Sequence, residues 1–179
     1  NGNGGALLYH APSKRLIVVH AHSNDPFDLH ALSSLQNHYE GKAPWHVYGL
    51  SAQVPTRFTL EDFSLQPGRL RLVYSGTQKE RLFLYRLGPA SVLLEQKELD
   101  QWVTSELAND KVKVTGTMLN EEGCLGRGHL QSGLPFLRTQ ALLKGWRDLE
   151  HNKLLMVCLA APSPDLQDVE AICRDLTTR

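Results

Sequence analysis

The chain has 179 residues, with Lys+Arg and Asp+Glu balanced at 19 each, so it is long enough for one substantial core and has no net charge to draw it to nucleic acid or an anionic membrane. Hydrophobic residues make up 41% of it, yet Arg, Glu, Gly or Pro interrupts every run well short of the roughly 18 apolar residues of a membrane span. Three cysteines, Cys124, Cys158 and Cys173, are odd in number and widely spaced in mostly apolar surroundings, which fits buried thiols in a cytoplasmic protein better than a disulfide framework.

"NGNGG" reads as a flexible lead-in over residues 1–5. "ALLYHAPSKRLIVVHA" then predicts a hairpin turning through Ala11 to Lys14, which sets His20 opposite Gly5. A first helix follows, with Asp25 as N-cap, Pro26 at its first position, Asp28 in an acidic first turn, and a stripe of Leu29, Leu32, Leu35 and Tyr39. It ends near Tyr39 to Gly41. Four short segments, "WHVYGLSAQVP", "RFTLEDF", "GRLRLVYSG" and "ERLFLYRLG", are separated by Pro55, "QPG" and "GTQK" and read as an antiparallel meander. With "GTQK" as a four-residue loop, Leu70, Leu72 and Tyr74 share a face with Phe83 and Tyr85, while Arg69, Arg71 and Arg86 line the other.

A second helix spans about Gln96 to Ala108, with Leu99, Trp102, Val103 and Leu107 inward and Asn109 ending it. "KVKVTGTML", "CLGRGHLQSG", "FLRTQALL" and "KLLMVCLAA" are expected strands. A last helix starts with Ser163 as N-cap and Pro164 as first residue, and turns Leu166, Val169, Ile172, Cys173 and Leu176 inward. Hairpin-linked strands with few helices and no strict βαβ alternation indicate one α+β domain, a largely antiparallel sheet flanked by about three helices.

Val18 to His30, "VVHAHSNDPFDLH", holds the sharpest functional signal. His20 and His22, two apart at a strand end, point the same way, and His-x-His there opens the metal site of several hydrolase families. "HAHSND" resembles the opening motif of amidohydrolases, and with His129 as a third ligand it would make a divalent-metal hydrolase, with a metal such as zinc. The further carboxylate and histidine ligands of those families have no assignable counterpart here. Helix capping accounts for Asp25 and Asp28, and the spacing of His30, Ser34 and His38 for a polar helix side, so the leading expectation is no cofactor.

Elsewhere the pattern is structural. Gly123, Gly126 and Gly128 lack the helix start and the Gly-Lys-Ser/Thr of a phosphate cradle and mark a turn or bulge. Glu61/Asp62 and Glu121/Glu122 read as solvated pairs beside turns, and Trp45, Trp102 and Trp146 as core or edge anchors. Arg69, Arg71 and Arg86 are the candidate patch for an acidic protein partner.

At "YGLSAQVPTRFTLEDFSLQPGRLRLVY", then "RLFLYRLGPA" and a helix containing "LDQWV", the chain resembles the PsbP-like α/β/α sandwich. The resemblance covers residues 45–108, and "LLMVCLAA" with the terminal helix agrees with it. It implies a binding or accessory protein without catalysis, since members act as photosystem accessory subunits, small-GTPase partners or envelope proteins. This chain departs from the photosynthetic members in having no recognisable signal segment, and no site residue carries over.

Overall fold

The computed structural model describes residues 4–10, 15–21, 41–131 and 139–178, the last two ranges with their side chains. Strand β1 (Gly4–His10) pairs antiparallel with β2 (Arg15–Ala21), with Gly5 opposite His20 and His10 opposite Arg15. That is the expected hairpin in the expected register. Gly4 and Gly5, expected in the lead-in, belong to the strand. The helix expected from Asp25 lies outside the described residues. The chain divides into two compact units, Asn1–Asn37 and His38–Arg179, and the remaining elements all belong to the second.

"KAPWHVYGLSAQVP" is not one strand but two, β3 (Lys42–Val47) and β4 (Leu50–Pro55). Tyr48 and Gly49 turn between them, both at positive φ, 46° and 73°, the backbone of a two-residue hairpin turn whose twist suits the flanking strands. The pair joins β12 (Thr177–Thr178) in a three-stranded sheet instead of opening the meander.

The meander itself is β5 (Thr59–Gln66), β6 (Arg69–Ser75) and β7 (Arg81–Leu87). Pro67 and Gly68 close its first turn, with Gly68 at a φ of 74° where a Cβ would meet the Gly88 carbonyl oxygen at 2.5 Å. The second connection runs from Gly76 to Glu80, one residue more than "GTQK" supplies, and this shifts the expected register by one. Leu70 pairs with Arg86, Arg71 with Tyr85 and Leu72 with Leu84. Leu70, Leu72 and Tyr74 therefore share a face with Leu82, Leu84 and Arg86, while Arg69 and Arg71 share the other with Phe83, Tyr85 and Leu87.

After a single turn α1 (Ala90–Leu93) comes helix α2 (Leu99–Asn109), which buries Trp102, Val103 and Leu107 as its stripe predicts. Strands β8 (Val112–Asn120), β9 (Gly123–Leu130), β10 (Thr139–Asp148) and β11 (Lys153–Ala161) complete a seven-stranded antiparallel sheet in the order β5-β6-β7-β11-β10-β9-β8. Helix α3 (Leu166–Arg174) starts two residues later than expected, because the Asp165 carboxylate, not Ser163, accepts from the Gln167 N–H at 2.9 Å.

β11 lies between β7 and β10, and its unbroken "LLMVCLAA" is buried on both faces, which explains why it shows no polar alternation. On one face Phe83, Tyr85, Met156, Cys158 and Leu143 pack with Trp102, Val103 and Leu107 of α2. On the other, Leu72, Tyr74, Leu84 and Val157 pack with Leu50 and Val54 of β4 and with Val169 and Ile172 of α3. The second unit is thus an α+β fold dominated by antiparallel sheet. No helix of the described residues is long and apolar enough to cross a membrane.

Candidate partner-binding surface

The register decides the fate of the arginine patch. Arg69 and Arg71 point to the α2 face, and Arg86 to the opposite one. The structure brings the first two together and separates the third. Arg69 pairs with Glu106 of α2, Nη2 to Oε2 at 2.7 Å. Arg71 is held more tightly. Its Nε donates to both carboxylate oxygens of Asp110, each at 2.9 Å, its Nη2 donates to the same group, and its Nη1 donates to Asp62 at 2.7 Å. The Tyr85 hydroxyl also donates to Asp110.

Asp110 is the residue immediately after α2, and its side chain is only 6% exposed, so this network fastens the helix end to the sheet. The Asp110 carboxylate raises the already high pKa of Arg71, and burial holds the Tyr85 hydroxyl protonated, reinforced by its hydrogen bond to Asp110. Asp62 is held below the usual carboxylate range by its bond to Arg71. Neither Arg69 nor Arg71 is left with a free charge for a partner.

Of the expected acidic pairs, Glu61, Asp62 and Glu122 enter ion pairs while keeping much of their exposure to solvent. Glu61 accepts from Arg81 at 2.5 Å and sits at a bulge between Leu60 and Asp62. Glu122 accepts from Lys144 at 3.0 Å. The glycine cluster serves strand geometry: the β8–β9 register shifts between Val114 and Gly116, and a Cβ on Gly128 would stand 2.4 Å from the Lys113 carbonyl oxygen. Trp102 is core, and Trp45 meets Tyr74 edge to face at a centroid distance of 5.3 Å.

Of the histidines, His20 lies in β2 and His22 outside the described residues. His129 is in β9, opposite Lys113 of β8 and Gln140 of β10, so both its neighbouring strands are those of the large sheet. Among the described residues no three His, Cys, Asp or Glu side chains are grouped to hold a metal ion. The cysteines are free thiols, and burial pushes Cys124 up to about 11 and Cys173 up to about 12, far from a reactive thiolate.

No protein-family model matches this chain, and no curated protein matches it.

Two apolar concave regions stand out among the described residues, both on the face carrying β4 and α3, beside a polar one of about 480 Å³ lined by Glu122, Lys144, Trp146, Glu170, Cys173 and Arg174. The larger, about 590 Å³, lies over β8, β9 and β10 where α3 no longer covers the sheet. Its walls are Met118, Leu125, Leu142 and Leu166, edged by Thr115 and Arg127. Met118 is 61% exposed, and Leu166, expected inward, is 42% exposed. The sequence carried one hint of this surface: Met118 and Leu119 are adjacent in a strand, so both cannot face one core. The smaller region, about 300 Å³, opens over Arg86 between the Tyr48–Gly49 and Pro67–Gly68 turns.

Proposed function

We propose that this chain is a non-catalytic accessory module that acts by binding another protein, with the face of Met118, Leu125, Leu142 and Leu166 as its docking surface. The observation that carries this reading is the contiguity of these four apolar side chains on an uncovered sheet face with a polar edge. Large exposed apolar patches rimmed by polar residues mark interaction sites in soluble proteins. Thiols kept protonated by burial, and acidic side chains taken up in ion pairs, support binding over nucleophilic or acid–base chemistry.

The same reading assigns the fold to the PsbP-like α/β/α sandwich. A helix packed on each face of the central antiparallel sheet supports that assignment, with the β3–β4 hairpin sharing the α3 side. Free cysteines favour a cytoplasmic setting.

A photo-crosslinking amino acid placed at position 118 in source cells tests the proposal, with position 95, an exposed site before α2, as the comparison. An adduct of discrete mass from 118 but not from 95, lost in the folded Leu166→Glu variant, is the expected result. Equal labelling from both positions, or none from 118, rejects the docking surface.

A further inference from the structure

Leu65, Leu70, Arg86 and Leu155 form one row across β5, β6, β7 and β11, each directly opposite the next. Leu70 and Leu155 are each 1% exposed, so a guanidinium interrupts an otherwise apolar row of the sheet. The Arg86 Nε is closed off from solvent and has no hydrogen-bond partner among the described residues. Arg57, Arg69, Arg71 and Arg81 each have a carboxylate partner; among the described residues Arg86, Arg127, Arg147 and Arg174 have none, and of these Arg86 alone has a guanidinium nitrogen both closed off from solvent and unbonded. A partly desolvated, unpaired cation is unfavourable for folding, and a better-packed apolar side chain in its place would cost nothing.

The cleft above it fits a partner for that charge. Tyr48, Leu65 and the Pro67–Gly68 turn make apolar walls, Gln66 adds a neutral amide, and no acidic side chain lines it among the described residues. Arg69 reaches the rim with its charge already taken by Glu106. About 300 Å³ is at the lower limit of small-molecule sites and has room for one or two side chains. Arg86 is the one cation without a carboxylate among the described residues lining the cleft, and a single planar guanidinium matches the two oxygens of a carboxylate better than a phosphate, which gathers more positive charge.

We infer that the Arg86 cleft binds a carboxylate, supplied by an acidic side chain of a partner peptide whose neighbouring apolar residue rests against Tyr48 and Leu65. This site is distinct from the Met118–Leu166 face and stands without it.

The test follows the arginine Nε–Hε signals of the intact ¹⁵N-labelled chain by NMR, with Arg86 assigned from Arg86→Lys. The probes are acetyl-Leu-Glu-amide, its neutral analogue acetyl-Leu-Gln-amide, and inorganic phosphate. The expected result is a saturable shift at Arg86 with the Glu peptide, about tenfold weaker with the Gln peptide, as withdrawal of one charge-assisted hydrogen bond implies. No saturation, equal response to the two peptides, or equal shifts at Arg127 and Arg174 overturns the site, and tighter binding of phosphate overturns its assignment to carboxylates. A second reading needs no probe: Arg86→Met should raise the Tm of the free chain, and a lowered Tm would reveal an internal partner for the guanidinium and overturn the inference.

Discussion

Replacing Asp110 by Asn removes one charge and almost no volume from the best-connected polar group of the second unit. The carboxylate is 6% exposed and takes donors from Arg71 and from Tyr85. An amide can keep its oxygen toward Arg71 and turn its NH₂ to Tyr85, whose hydroxyl is able to accept, so hydrogen-bond number is nearly conserved. What is lost is the charge opposite Arg71, a side chain only 19% exposed. Removing one partner of a buried pair costs about 3–5 kcal/mol. Asp62 still faces Arg71 at 2.7 Å but is 60% exposed, and it offsets part of that loss. We expect a cost of about 2 kcal/mol for Asp110→Asn and about 3–4 kcal/mol for Asp110→Ala, which also strands the Tyr85 hydroxyl. Urea unfolding followed by circular dichroism gives both, read from the midpoint at constant m. The companion triple variant Arg71→Met/Tyr85→Phe/Asp110→Leu should recover to within about 1 kcal/mol of the parent, because it removes both charges and the hydroxyl together. A cost below about 0.5 kcal/mol for Asp110→Asn, in the range of an exposed pair, would refute the claim that this network is a buried fastening of α2.

Three further outcomes are expected. Leu84→Ala should cost about 3–5 kcal/mol by calorimetry, since Leu84 is 0% exposed between Leu72 and Val157 on adjoining strands; a loss under about 1 kcal/mol would mean the core collapses around the gap. Burial acts to raise the Asp148 carboxyl, but the Thr178 hydroxyl and the ring and backbone N–H of His151 outweigh it and hold it below its ordinary 3.8. Its contribution to stability is therefore present above that value and lost as pH falls through the folded value, so Asp148→Asn should be the weaker protein at neutral pH and match the parent in strong acid; a gap unchanged by pH would contradict this. Elemental analysis of protein purified without tag or chelator, beside His20→Ala/His22→Ala, should find no stoichiometric metal in either, and zinc that disappears in the variant would install the hydrolase reading.

Local signals of the sequence carried most of the strands and the inward stripe of α2, Trp102, Val103 and Leu107, a property of one helix, although the helix starts at Leu99 and not near Gln96. Misreadings arose where two signals competed. Tyr48–Gly49 has none of the Asn-Gly or Asp-Gly dipeptides that announce a hairpin turn, so two strands read as one. Ser163 and Asp165 are both good caps, and position alone does not choose between them. A single extra residue between β6 and β7 moved Arg86 to the opposite face from Arg69 and Arg71, and with it the whole notion of an arginine patch. Asp110 was invisible as a site because its partners, Arg71 and Tyr85, are set by strand pairing and not by any spacing along the chain. The uncovered face was half legible, in the Met118–Leu119 pair, but Leu166 at the start of α3 reads the same whether its strip is covered or bare.

The strand order also bears on how such a chain reaches its structure. β5 to β7 and β8 to β11 are each runs of successive hairpins, able to form from neighbours in the chain. A single seam, β7 against β11, makes them one sheet, joining Arg81 to Ala160 and Leu87 to Leu154. Contacts between residues distant in sequence are the slow ones to acquire, because loop-closure entropy is spent before they form. The seam is also where both cores meet, with Phe83, Tyr85, Met156 and Cys158 on one side and Leu82, Leu84, Leu155 and Val157 on the other. Until it closes, each half exposes the edge of an apolar strand, so the pairing of β7 with β11 covers the two edges most prone to aggregation and leaves β5 and β8 as the outer edges of the large sheet.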